Sequence, residues 1–294
     1  GEAREGLAYI NTQGQLSSWA PVLGYGDDII ISMAARDSVV YFAHQPATSF
    51  TGNIMSFTAM KHGQTDPLFS HAIGERGFYS VNTIITTDER IFVGGYFPSI
   101  NKQPRGNLAA FNLEGELLGW APNEKLPVNG IAVIDDHVFV ARKSDQDSLM
   151  VYDLEGNEII PATQISGEIK HIQSDGEYVY ATGTIKNSDG TKNHTVVRLD
   201  KDGKIIPLEN GLEVNPEDSL LIHNDILYFS AAGNTGSGLK AYSLHEKKVL
   251  PWNPGTSKGA SYIAASDTML LTLAPPRVVG GHPRAALASI NANE

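Results

Sequence analysis

One short pattern recurs along this chain of 294 residues, and it limits the fold more than any other feature. The pattern is an apolar run, a turn with glycine, a second apolar run and a closing proline. It is clearest in residues 7–21 and 108–122, and a copy without the glycine occupies residues 239–254. Turn glycines at 14, 63, 115, 156 and 203 follow one another at intervals of 41 to 52 residues. Repeats of this length made of short strands are typical of β-propeller blades.

A second hairpin lies between successive copies of the first. Runs of β-branched or aromatic residues flank a polar turn, as in residues 29–34 and 39–43, which predicts a strand, a tight turn and a strand. The same unit surrounds the turns at 88–89, 135–136, 175–176, 224–225 and 266–267. No segment keeps helical apolar spacing over the roughly ten residues that a helix needs. The sequence therefore predicts an all-β chain with four antiparallel strands, A to D, in each repeat.

The repeats predict a single β-propeller domain over residues 1–294, with six four-stranded blades, or seven as the alternative. Residues 15–19 are expected to supply strand D of the last blade, so that the N- and C-terminal strands pair and remove an open sheet edge. Residues 6–11 duplicate strand C of that blade. Either one copy is displaced, or the blade has five strands, or the chain comes from a longer propeller. The blades are expected at 28–69, 79–122, 128–161, 168–207, 219–254 and 262–291. In the last of them, strands A, B and C are expected at 262–265, 269–273 and 286–291.

The most specific motif spans residues 92–115. It reads FVGGYFPSINKQPRGNLAAFNLEG, and a shorter echo at residues 280–291 reads GGHPRAALASIN. These residues resemble the bacterial delta-60 repeat β-propellers, clearly in the second blade and partly in the sixth. The resemblance implies a module of a larger exported protein, with an extracellular, periplasmic or cell-surface location. It implies no activity, because that family shares no catalytic residues.

Charge and composition exclude several kinds of partner and site. The chain has 22 Lys and Arg against 33 Asp and Glu, a net charge of −11, and no basic run, so nucleic acid is not an expected partner. The absence of cysteine excludes disulfides, thiolate metal sites and a cysteine nucleophile. No apolar stretch approaches the roughly 18 residues of a membrane helix, so membrane insertion is not expected. The start GEARE is no signal peptide, and a cleaved export signal would leave no trace there.

The connections between strands B and C are long, whereas the A–B and C–D turns are short. In a propeller the B–C and D–A connections share one face, where residues vary without disturbing the scaffold, so a ligand is expected there. The B–C connections are residues 44–52, 96–106, 142–148, 184–194, 233–238 and 275–284. The candidate ligand-binding residues on them are Tyr96, Phe97, Asn101, Arg105, Arg142, Lys186, His194, Arg277 and Arg284.

These candidates have alternative structural roles. The rings of Tyr96 and Phe97 either stack on a sugar or peptide or pack under their own loop. Arg105 and Arg284 occupy equivalent repeat positions, so they either bind a ligand or hold loop carbonyls. The remaining cations on this rim either receive an anionic group or are ordinary solvated side chains.

No catalytic or metal-binding motif stands out. Residues 144–147 and 187–190 have acidic spacing that resembles part of a calcium loop, but neither continues into the full pattern. No cofactor or metal is therefore predicted, with calcium as a weak alternative.

The sequence favours a non-catalytic module that binds a carbohydrate, peptide or protein through the loop face. The alternative is a polysaccharide- or lactone-acting hydrolase or lyase with its site at the central channel mouth, so enzyme activity stays open. A close carboxylate–histidine pair at that mouth would favour the alternative. Polar residues at the strand A starts are expected to line the channel: Asp28, Ser80, Asn82, Asn129, Lys170, His171, Ser219 and Ser261.

Overall fold

The computed structural model divides the chain into two compact units. One contains Gly1–Ile131 and Tyr152–Glu158, and the other contains Ala132–Val151 and Ile159–Glu294. None of the described residues lies in a helix, so none forms a helix long and apolar enough to cross a membrane. The structure describes residues 7–11, 15–21, 23, 28–46, 55–75, 77–144, 148–160, 166–186, 192–206, 208, 212, 214, 219–231, 238–256, 262–265, 269–273, 278–279, 282–283 and 287–291.

The regular structure is made of β-strands alone, as the alternation of apolar residues predicts. In chain order the strands are β1 (Asp28–Arg36), β2 (Val39–Pro46), β3 (Met55–Lys61), β4 (Phe69–Ile73), β5 (Ser80–Thr86), β6 (Arg90–Tyr96), β7 (Ser99–Ile100), β8 (Gln103–Pro104), β9 (Leu108–Asn112), β10 (Val128–Ile134), β11 (His137–Arg142), β12 (Leu149–Tyr152), β13 (Glu158–Ile160), β14 (Ser166–Ser174), β15 (Val179–Lys186), β16 (Lys192–Leu199), β17 (Ile205–Ile206), β18 (Leu220–His223), β19 (Ile226–Ala231), β20 (Gly238–Ser243), β21 (Lys248–Val249), β22 (Tyr262–Ala265), β23 (Met269–Leu273), β24 (Val278–Val279), β25 (His282–Pro283) and β26 (Leu287–Asn291).

These strands form small antiparallel sheets that follow the predicted repeats. The strands β10–β13, β14–β17 and β18–β21 each make a four-stranded sheet of chain-consecutive strands. Strands β22, β23 and β26 make a three-stranded sheet, in which β22 and β23 coincide with the predicted residues 262–265 and 269–273. The all-β, antiparallel expectation is confirmed.

One sheet departs from the predicted four strands. Its order is β1-β2-β3-β4-β7-β8, so a hairpin from the connection after β6 is added to the outer strand of the preceding repeat. The strands β5, β6 and β9 form a separate three-stranded sheet. Strand β4 also ends at Ile73, later than the predicted end of the first blade at residue 69.

Residues 9–11 and 15–17 pair antiparallel, and the Trp that follows them packs on the first sheet. The backbone N–H of Ser17 donates to Tyr9 O at 2.8 Å, and Trp19 lies with Leu7 against the buried Phe42 and Met60. These are the residues predicted to pair with the last blade. That pairing stays a prediction.

The Trp of the repeated Trp-Ala-Pro motif has the same role in two places. The indole N–H of Trp19 donates to Gln64 O at 2.8 Å, and that of Trp120 donates to Asp153 O at 2.9 Å. Gln64 lies between β3 and β4, and Asp153 lies between β12 and β13. Because a buried indole N–H needs a partner, the motif ties its Trp, in these two places, to a turn between two later strands.

The first strands of three repeats have a β-bulge at the same place. The register of β1 against β2, of β5 against β6 and of β14 against β15 shifts by one residue at the corresponding place. Opposite the bulge in the second repeat lies Gly95, where an added Cβ would be 1.9 Å from Ser80 O, and opposite that in the fourth lies Gly183, at 2.0 Å from Glu168 O. At these two positions only glycine leaves room for the approach of the two backbones, whereas the equivalent residue of the first repeat is His44.

Each unit has its own apolar core. In the first unit, the ring centroids of Phe57 and Phe111 lie 5.0 Å apart within a cluster that includes Val81 and Ile100. In the second, separate clusters surround Phe139, Phe229 and Leu270. These side chains come from alternate strand positions, which explains the apolar alternation in the sequence.

Candidate functional site

The connection between β6 and β9 contributes two short strands, β7 and β8, to the first sheet. Ile73 of β4 faces Ile100 of β7 across the ladder. On either side of this pair, Gly74 N–H donates to Ser99 O at 2.7 Å and Asn101 N–H donates to Ala72 O at 2.8 Å. Residues 96–106 therefore do not form a free loop, because their backbone is committed to β-sheet pairing.

Asn101 holds this hairpin to β4. It lies in the turn with a φ of +47°, and its side-chain oxygen accepts the N–H of Ala72 at 2.9 Å. Its amide group lies 2.7 Å from His71 Nδ1, and His71 Nε2 donates to Gly115 O at 2.7 Å. Burial lowers the pKa of His71, so the neutral ring that this arrangement requires is favoured.

Arg105 and Phe97 have structural contacts. The Arg105 guanidinium donates to Pro104 O at 2.8 Å and to Leu118 O at 2.9 Å, and burial lowers its pKa. The Phe97 ring is 1% exposed and packs in the core cluster. Arg105 thus holds loop carbonyls and Phe97 packs under its own loop, so neither contributes to the binding surface proposed below.

Asn107 organises this connection, and the sequence analysis did not single it out. It is buried with a φ of +62°. Its side-chain oxygen accepts the Phe97 N–H at 2.9 Å, and its amide donates to Glu124 O at 3.1 Å and Leu126 O at 3.2 Å. The one available signal was its place before strand C in the Arg-Gly-Asn-Leu motif, because Asn tolerates positive φ.

An aromatic patch lies where strand β5 begins and strand β6 ends. Phe78 is 89% exposed and Tyr96 is 51% exposed. Tyr79 lies half-buried beside them, with its ring centroid 6.3 Å from that of Tyr96. Ser80 pairs with Tyr96 in the ladder, so the D–A and B–C connections of this repeat meet here. We call Phe78, Tyr79 and Tyr96 the aromatic patch.

Two glycines hold the central ring of the aromatic patch. A Cβ at Gly74 would lie 2.3 Å from the Tyr79 ring, and one at Gly77 would lie 2.7 Å from it. Gly74 has a φ of +68° and its N–H is bonded to Ser99 O. Gly74 and Gly77 therefore lie directly against the Tyr79 ring, which these backbone contacts hold in place.

The remaining candidates lie elsewhere. Arg142 ends β11, is half-buried, and its N–H donates to Ser148 O at 2.8 Å. The backbones of Lys186 and His194 lie in the β15–β16 ladder, where they pair with Lys192 and Thr184. The predicted long connection at residues 184–194 is thus partly strand. Arg277, Arg284 and nearly all of both calcium-like segments lie outside the described residues.

A chain of polar side chains crosses the first sheet, one from each of the strands β1 to β4. Asp28 Oδ2 lies 2.6 Å from His44 Nδ1, and His44 Nε2 lies 3.0 Å from Thr58 Oγ1. Thr58 Oγ1 lies 2.8 Å from Ser70 Oγ. The side chain of Asp28 is 3% exposed, whereas Ser70 is exposed. We call these four residues the polar relay. Within the described part of the chain, no three His, Asp or Glu side chains are grouped to hold a metal ion.

Comparisons with known proteins identify the fold. No protein-family model and no curated protein match this chain. It matches the Neurospora crassa Pan2 WD40 domain with a TM-score of 0.55 at 13% identity, over 85% of this chain and 74% of that one. The fold is that of a β-propeller.

Two further solved structures are similar over most of the chain. A chain of the Mitotic Checkpoint Complex matches with a TM-score of 0.65 at 12% identity, over 97% of this chain and 84% of that one. The computationally designed Ika8 protein matches with a TM-score of 0.56 at 16% identity, over 94% and 87%. At these identities the likeness concerns the fold alone.

Proposed function

We propose that this protein is a non-catalytic binding module that recognises a protein, peptide or carbohydrate through the loop face of its propeller. The observation that carries the proposal is the aromatic patch. Aromatic side chains are enriched at binding surfaces and dominate their energetics. Phe78, at the end of a connection, is 89% exposed. Its ring therefore contributes little buried apolar area to folding and is accessible to a ligand.

The order at Tyr79 supports this role. The Tyr79 ring packs on Gly74 and Gly77, and the backbone of Tyr96 is paired with that of Ser80. Rings held in place before binding lose less conformational entropy when a ligand arrives. The β7–β8 hairpin is hydrogen-bonded to Gly74, which lies against the Tyr79 ring, so its candidate residues act through the scaffold while the aromatic patch provides the contact.

The propeller is proposed to close as one domain of six blades, or seven, through pairing of its terminal strands. The repeat interval, the shared β-bulge and the resemblance to delta-60 repeat propellers support this arrangement. The same resemblance supports placement in an exported or surface bacterial protein. Nothing in the binding proposal depends on the number of blades, because the aromatic patch lies within one repeat.

The binding proposal is tested on glycan arrays and displayed peptide libraries with the purified protein and an F78A/Y96A variant. Loss of two central aromatic contacts of about 1–2 kcal/mol each weakens binding roughly ten- to a thousand-fold. L68A/V249A is the control, since Leu68 and Val249 are also exposed but lie elsewhere. Ligands that F78A/Y96A binds as tightly as the wild type would contradict the proposed site.

The second candidate function is a hydrolase acting on a polysaccharide or lactone. The observation that favours it is the 2.6 Å contact between Asp28 and His44, since Asp28 begins the innermost strand β1. A carboxylate that fixes an imidazole is the usual arrangement of a general base.

A further inference from the structure

The polar relay has one consistent direction of proton donation. The Asp28 carboxylate only accepts hydrogen bonds, so His44 Nδ1 carries the proton that lies between them. In the neutral imidazole Nε2 is then an acceptor, and the Thr58 hydroxyl donates to it. Thr58 Oγ1 in turn accepts the proton of Ser70. Every donor in the polar relay therefore points from the exposed Ser70 toward the buried Asp28.

Two coupled proton transfers reverse the Ser70–Thr58 and Thr58–His44 hydrogen bonds without moving any heavy atom. When the Ser70 proton passes to Thr58 as the Thr58 proton passes to His44, Ser70 becomes an alkoxide and His44 an imidazolium. The imidazolium then faces Asp28, whose Oδ1 is buried and accepts no hydrogen bond from the described residues. The imidazolium and the Asp28 carboxylate then form a charge-assisted hydrogen bond across the 2.6 Å contact.

The polar relay is a feature of the first repeat and not of the fold. By ladder register, His44 occupies the position of Gly95 in the second repeat and Gly183 in the fourth. Thr58 likewise corresponds to Ala109 and to Val197. Repeats with the same strands and the same bulge thus fold without these polar groups. A purely structural relay would be expected in the other repeats as well.

We propose that Ser70 is a serine nucleophile that takes the acyl group of an activated carboxylic ester. Ser70 Oγ forms a bond to the acyl carbon, and the bond from that carbon to the alcohol oxygen breaks. The alcohol leaves with the ester's electron pair as an alkoxide or phenolate, and the Ser70 proton moves through Thr58 to His44. The oxygen of a water molecule then bonds to the acyl carbon, and the bond from that carbon to Ser70 Oγ breaks. One water proton leaves with the acid and the other neutralises the departed alkoxide or phenolate, while the His44 proton returns through Thr58 to Ser70 Oγ. This activity goes beyond the binding proposal, whose aromatic patch is non-catalytic. It places ester cleavage on β4 and not at the channel mouth of the hydrolytic candidate.

The test uses a fluorophosphonate probe, which reacts with an activated serine by forming an Oγ–P bond and releasing fluoride. Labelling of the wild type is followed by intact mass and located by peptide mapping. We expect one adduct on Ser70, none in S70A, and unchanged labelling in S289A, a control at an exposed serine on β26. F78A/Y96A also labels normally, which separates this activity from binding at the aromatic patch.

Variants of Thr58 distinguish a relay from a structural contact. T58V keeps the shape but removes the hydroxyl, and we expect it to slow labelling and p-nitrophenyl acetate cleavage at least ten-fold. T58S keeps the hydroxyl and restores both rates. The melting temperature of each variant is measured alongside. An unlabelled wild type, an adduct on another residue, or equal rates in T58V and the wild type would overturn the proposal.

Discussion

Replacement of Asn107 by Ala tests whether the connection between β6 and β9 is a structural element. Asn107 is buried and fixes three backbone groups through its side chain, the N–H of Phe97 and the carbonyls of Glu124 and Leu126. It also adopts a φ of +62°. No other side chain within this connection bonds three backbone groups in the described chain.

The expected loss follows from these contacts. Leaving the buried Phe97 N–H without a partner costs about 1–3 kcal/mol. The two carbonyls each lose one bond, which adds about 0.5–1 kcal/mol apiece, and Ala at positive φ adds about 1 kcal/mol. We expect N107A to lower the free energy of unfolding by about 3–6 kcal/mol. N107G avoids the strain and is expected to lose about 1 kcal/mol less.

Urea unfolding followed by tryptophan fluorescence measures the loss, and hydrogen exchange of the Phe97 amide locates it. The control is N112A, since the Asn112 side chain makes similar bonds to Glu116 in an exposed turn. We expect N112A to lose about 1 kcal/mol or less. An N107A variant as stable as N112A, with the Phe97 amide still protected, would refute the reasoning.

Three further predictions concern the same region. G74A is expected to lose about 2 kcal/mol or more because its φ is +68° and its Cβ would meet the Tyr79 ring, and its melting temperature measures this. Burial lowers the pKa of His71 in the folded chain. As the pH falls, the unfolded chain therefore takes up a proton on His71 at a higher pH than the folded chain does. The free energy of unfolding should therefore fall as pH drops below about 6.5, with a smaller fall in H71Q in urea titrations at several pH values. R105M is expected to lose about 1–3 kcal/mol of stability while its glycan and peptide binding stays unchanged.

The strands and turns could be predicted from the sequence because their signals are local. The turn glycines at 63, 115, 156 and 203 all have positive φ, as their place between two apolar runs requires. Strand alternation likewise located β22 and β23 to the residue. These features depend on neighbours along the chain, which one sequence displays.

The role of the candidate site residues depends on contacts between distant segments, which the sequence does not display. Asn101 and Arg105 are polar residues in a long connection and resemble ligand contacts, yet their partners lie on β4 and after β9. A two-residue strand such as β7 has too few positions to show alternation. Of the three residues in the aromatic patch, the sequence predicts Tyr96 as a ligand contact. It does not predict Phe78 and Tyr79, because they lie in another connection.

The pairing of the β7–β8 hairpin with β4 makes the candidate loop a part of the scaffold, and a cysteine pair measures this pairing. Ile73 and Ile100 face each other between the two flanking backbone bonds, which is the close pair of an antiparallel ladder, with Cα atoms about 4.5 Å apart. That separation permits a disulfide, and the chain has no other cysteine. We predict that I73C/I100C forms an intramolecular disulfide in nearly all molecules, whereas I73C/K102C does not. Free thiols in folded, oxidised I73C/I100C would contradict the account.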